Sequence, residues 1–88
     1  MHAYRRPDDL LRAGFSVSKK VGKATVRNRV KRLMREGLRA NLMQVKPGYD
    51  LIFTARPPAA RATFGEIRQA IEELLMRGAL LPGRPRNA

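Results

Sequence analysis

Between residues 10 and 18 the chain alternates. Leu11, Ala13, Phe15 and Val17 fall on one side, and Arg12, Gly14, Ser16 and Ser18 on the other. A period of two predicts a strand with one apolar face and one small, polar face. The small face leaves the backbone approachable, by a packed neighbour or by a ligand. Gly22 ends the strand, and Thr25 offers an N-cap oxygen for a helix. From there the apolar positions run Val26, Val30, Leu33, Met34 and Leu38, whose spacings of three and four make one buried stripe. "KPGYD" reads as a turn, and "YDLIFTARP" as a buried strand stopped by Pro57 and Pro58.

A second helix is predicted over "TFGEIRQAIEELLMRG". Thr63 and Glu66 have capping-box spacing, Phe64, Ile67, Ile71, Leu74 and Leu75 form its core stripe, and Gly78 suits the C′ position. A short strand is possible at residues 2 to 6. The order strand, helix, strand, helix gives a small α/β or α+β sandwich, with two parallel strands joined by a crossover helix. The default hand of that crossover is right-handed. Residues 1–81 form one domain, and residues 82–88, "PGRPRNA", are expected to be a disordered basic tail.

Charge changes the picture of the first helix. Residues 18 to 39 hold nine lysines and arginines against one acid, Glu36. Arg27, Lys31, Arg35 and Arg39 repeat every four residues, with Asn28 and Arg32 beside them. Like charges at that spacing repel by a few tenths of a kcal/mol per pair. Cations at the N-terminal end also oppose the helix dipole. An ordinary solvated face alternates its signs; this one does not, and something outside the chain must offset it. Nucleic-acid phosphate fits, because each neutralised phosphate releases counterions and arginine bonds phosphate with a fork of donors. Asn28 adds a donor and acceptor for a base edge or ribose. An anionic membrane surface fits poorly, since the apolar stripe is needed for the core and no Trp or Phe flanks it.

The whole chain agrees. Its 88 residues carry 19 basic and 7 acidic side chains, for a net charge of +12. There is no cysteine, so disulfides and thiolate metal sites are excluded and a reducing compartment fits. No apolar run approaches the roughly twenty residues needed to span a bilayer. The opening "MHAYRRPDDLL" lacks the order of a secretory signal, so the cytoplasm is the expected compartment. Ser16 and Ser18 have no supporting constellation of histidine, acid or lysine, and the lone His2 stands near one end. Asp8 and Asp9 suit a turn better than a cation site. Nothing has zinc spacing or a phosphate-cradling glycine loop, so no protein-borne active site is expected.

"GFSVSKKVGKATVRNRVKRLMRE", Gly14 to Glu36, resembles the signature of the bacterial ribonuclease P protein subunit, with Arg27-Asn28-Arg29 matching its arginine–asparagine–arginine core. "YDLIFTARPPAARATFGEI" is similar to the family's next strand and final helix, so the resemblance covers about residues 10 to 81. It implies one part of a ribonucleoprotein endonuclease that removes the 5′ leader of precursor tRNA. In that family the RNA carries the active site and its Mg²⁺, while the protein binds the leader and stabilises the RNA fold. The implied partners are ribonuclease P RNA and precursor tRNA.

Carried over by position, Lys19, Lys20, Lys23, Arg27, Asn28, Arg29, Lys31, Arg32 and Arg35 are the expected RNA contacts. Ser16 and Ser18 would border the leader cleft. The resemblance also implies a left-handed crossover in place of the default hand. Family members usually carry a further helix and strand before this segment, of which "HAYRR" matches only the end. Uncovered sheet surface, weaker leader binding and self-association through the open face are therefore expected. The alternatives are a structural RNA-binding protein of ribosomal type and a DNA-binding module. The latter lacks a preceding helix and short turn.

Overall fold

The computed structural model describes residues 1–81; the expected basic tail lies outside the described residues. Strand β1 (His2–Arg5) and strand β2 (Leu11–Val17) are followed by a 3-10 turn at Lys19–Val21 and helix α1 (Ala24–Arg39). After a 3-10 turn at Leu42–Gln44 come strand β3 (Tyr49–Ala55), a 3-10 turn at Pro57–Arg61 and helix α2 (Phe64–Arg77). The sheet order is β1-β3-β2. β2 runs parallel to β3 with Phe15 opposite Phe53, as the crossover pattern requires, and β1 closes antiparallel with His2 opposite Ile52.

Alternation in the strands decides which side of the sheet meets the helices. Leu51, Phe53 and Ala55 of β3 are buried, and Phe15 stacks on Phe53 with ring centroids 5.7 Å apart. From the helix side Val30, Met34 and Leu38 of α1 and Ile67, Ile71 and Leu75 of α2 complete one core. Val30 and Leu75 reach 0 % exposure, each worth about 1.5–3 kcal/mol by removal from water. The two helices pack closely at Gly37, where an added Cβ would stand 3.2 Å from Ile71 Cδ1 and 3.3 Å from Arg68 Cα. The Cα atoms span 17 Å along the thinnest dimension, which is one sheet and one helix layer. Among the described residues nothing covers the opposite sheet face, where Arg12, Gly14, Ser16, Ile52 and Thr54 are exposed.

Three local expectations differ from the structure. Helix α1 starts at Ala24 with Lys23 at the N-cap, so Thr25 lies inside the first turn and no side chain caps the helix. The helix follows directly on a tight bend, where a Cβ on Gly22 would meet Val26 Cβ at 3.1 Å. Phe64 is the first residue of α2, at the edge of the core, and stays 38 % exposed. At the other end of α2 the left-handed C′ residue is Ala79, with φ 59°, and not Gly78. Leu80 N donates to Leu75 O at 2.8 Å and Ala79 N to Met76 O at 3.0 Å, a Schellman closure set one residue later than the glycine. The second cap matches the sequence reading: Thr63 N donates to Glu66 Oε1 at 2.9 Å and Glu66 N to Thr63 Oγ1 at 3.2 Å.

Candidate nucleic-acid interface

Burial of Val30, Met34, Gly37 and Leu38 fixes how α1 is turned. At 3.6 residues per turn this directs Asn28, Arg32, Arg35 and Arg39 outward, and all four are exposed. Arg27 and Lys31 lie along the flank over β2 and are half-buried. Further along that flank the Arg35 guanidinium stands 5.9 Å from the centroid of the Phe15 ring, where the ring face attracts a cation. Nε of Arg27 is buried and has no hydrogen-bond partner among the described residues.

The predicted contacts do not form one uniform stripe. Arg29 leaves α1 on the other flank and donates from Nη1 to Ala60 O and from Nη2 to Ala62 O, both at 3.2 Å. Lys19 and Lys20 form the exposed turn before the helix, with Lys23 at its uncapped start. Ser18 lies past the end of β2 and accepts from Lys20 N at 3.3 Å, so it caps that turn. Ser16 does lie on the bare sheet face, opposite Thr54.

That bare face carries residues the sequence pattern did not single out. In register with one another stand Tyr4 and Arg12 against Asp50, and His2 and Gly14 against Ile52. Tyr4 is 55 % and Ile52 39 % exposed. The alternation in "HAYRR" could have flagged Tyr4, but five residues are too few to assign faces without knowing the partner strand. At one end of this face Arg6 bridges Asp8 at 2.7 Å and Asp50 at 2.8 Å, and Arg12 meets Asp50 at 3.0 Å. The Arg6 guanidinium, helped by Leu10 N, holds the Asp8 carboxyl down at about 2. Arg6 and Arg12 lower Asp50 in the same way. Asp8 is thus a turn residue.

Charge balance separates the two regions. The ion pairs among the described residues are those three and Arg68–Glu72 at 3.6 Å. None involves the nine cations between residues 18 and 39. No group of three or more His, Cys, Asp or Glu converges among the described residues, and no described helix is long and apolar enough to cross a membrane.

A two-layer α/β module with an unneutralised basic helix on one side and an exposed, aromatic-bearing sheet face on the other has the form of a polyanion-binding module. Residues 1–78 match the family model described as Ribonuclease P, and the chain belongs to that family. It is 46% identical over 78 residues to the ribonuclease P protein component of Clostridioides difficile (strain 630), covering 88% of this chain and 68% of that protein. To the component of Caldanaerobacter subterraneus it is 47% identical over 75 residues, covering 85% and 65%. The chain thus spans about two thirds of the length of these curated relatives. Among solved structures, the RNase P protein of Staphylococcus aureus aligns with TM-score 0.76 and 32% identity over 91% of this chain and 75% of that one. That of Thermotoga maritima aligns with TM-score 0.77 and 32% identity over 92% and 74%.

Proposed function

We propose that the chain acts as the protein partner of a ribonuclease P RNA in removing the 5′ leader of precursor tRNA, in the cytoplasm. The observation that carries this reading is the set of nine cations on and before α1 that meet no acid among the described residues. Phosphates of a folded RNA would neutralise the exposed Lys19, Lys20, Lys23, Arg32 and Arg35. The bare sheet suits single-stranded leader: Tyr4 offers a stacking surface, and Ser16, Thr54 and Arg12 offer polar contacts beside it. Without RNA, the same exposed Tyr4 and Ile52 would mediate self-association.

Catalysis is assigned to the RNA and its Mg²⁺. Asp8 and Asp50 are engaged by Arg6 and Arg12 at one end of the sheet face and have no part in this reading of the chemistry. The test is cleavage of precursor tRNA by a bacterial ribonuclease P RNA at low Mg²⁺, with and without the protein. Wild type is expected to stimulate, and a Lys20→Ala/Arg32→Ala variant to stimulate much less. Equal binding to duplex DNA and to structured RNA at matched salt, with no stimulation, would leave only a general polyanion binder.

A further inference from the structure

The 3-10 turn Pro57–Arg61 ends at Ala62, whose N–H reaches back to Ala59 O at 3.2 Å. The carbonyls of Ala60 and Ala62 are left over at its C-terminal end, and such carbonyls attract a cation. Arg29 supplies it, with one terminal nitrogen on each carbonyl at 3.2 Å. A planar guanidinium spreads its two donors at a fixed distance, which an ammonium cannot reproduce. Arg61 stands between the two gripped carbonyls. Its side chain is exposed and enters no ion pair among the described residues. The turn also packs against both α1 and the Lys19–Val21 turn, so the segment that carries this arginine adjoins the lysine-rich start of the helix.

We propose that Arg61 is a further phosphate-binding residue of the RNA interface, and that Arg29 is the positioning residue that brackets its turn against α1. The assignment rests on the reading of α1 as an RNA-binding surface. It extends that surface across a segment 30 residues downstream, on the side of α1 away from β2. Arg29 then acts chiefly through the turn it holds, although it belongs to the Arg27-Asn28-Arg29 run.

The bracket is tested without RNA, by hydrogen exchange of the Ala62 amide in the free protein. Exchange is expected to quicken in Arg29→Lys and Arg29→Ala, with the amides in the middle of α1 unchanged. Wild-type exchange in both variants would overturn the bracket. The phosphate role is tested by affinity for a bacterial ribonuclease P RNA across a salt series. Arg61→Ala is expected to lower the salt slope by about one unit, the mark of one lost phosphate contact. An unchanged slope would overturn it. Arg29→Lys, which keeps the charge, is expected to weaken binding about as much as Arg61→Ala, and the double variant to lose little more. Additive losses, or wild-type binding by Arg29→Lys, would overturn the positioning role. Wild-type binding to this RNA no tighter than to an unrelated duplex would instead remove the reading of α1 itself, while the exchange result would still judge the bracket.

Discussion

Arg6 donates to Asp50 at 2.8 Å across 44 residues of sequence, and the same guanidinium holds Asp8 two residues away. One side chain thus ties the turn after β1 to the central strand. The partners Asp8 and Asp50 both titrate below the ordinary carboxylate range, Asp8 at about 2. A depressed folded-state pKa stabilises the fold above the unfolded value near 3.8, and the contribution fades as pH falls through the folded value. Thermal stability should therefore drop between about pH 4 and pH 2. Asp8→Asn should melt lower than wild type at pH 6, and the difference should close by about pH 2. A gap that persists unchanged in acid would show that the contact does not act through charge.

At Gly37 the backbone of α1 lies close against α2. Gly37→Val should destabilise by about 1–3 kcal/mol, since a side chain there meets the Arg68 backbone as well as Ile71. Urea denaturation followed by circular dichroism would measure it. A neutral effect would mean the helices can part without loss.

Ala79 adopts a left-handed conformation that costs a residue with a Cβ about 1 kcal/mol. Ala79→Gly should recover most of that and raise the melting temperature by about 4–8 °C per kcal/mol for a domain of this size. A lower melting temperature would indicate that the Schellman closure does not persist in solution.

Lys23 occupies an N-cap position without a capping bond. Lys23→Ser should stabilise the free protein by about 1 kcal/mol through a new cap. The same change should weaken RNA binding and lower its salt slope by about one unit. Calorimetry of the free protein and a salt titration of the complex would see effects of opposite sign. Movement of both in one direction would place Lys23 outside the interface.

Tyr4 tests the bare sheet separately from the helix. Tyr4→Ala should cost about 1–3 kcal/mol in binding a single-stranded oligonucleotide, the loss of one stacked base. It should leave affinity for leaderless structured RNA unchanged. A binding assay with each ligand distinguishes the two surfaces, and equal losses on both would merge them.

Much of this architecture is legible in the residues. The alternation in Leu11–Val17 and the continuous Leu51-Ile52-Phe53 run identify the parallel pair, and Thr63 with Glu66 marks the start of α2 to the residue. The basic helix announces its partner because its like charges conflict with folding alone. What stayed hidden depends on distant groups. Arg29 looks like its neighbours until the Pro57–Arg61 turn presents two free carbonyls to it. Tyr4 gains a defined face only when β1 pairs with β3. Thr25 has the right chemistry for a cap, yet the helix follows directly on the bend at Gly22 and starts before it.

The 17 Å thickness of the Cα framework has a mechanical meaning once RNA is bound. One broad side offers the basic helix and the other the bare sheet, with a close-packed core of Phe53, Leu51, Leu75 and Val30 between them. Such a core resists compression. If the proposed function holds, two RNA segments held on opposite sides would be kept at a spacing set by the protein, which would then act as a gauge block between a substrate's leader and the body of its RNA.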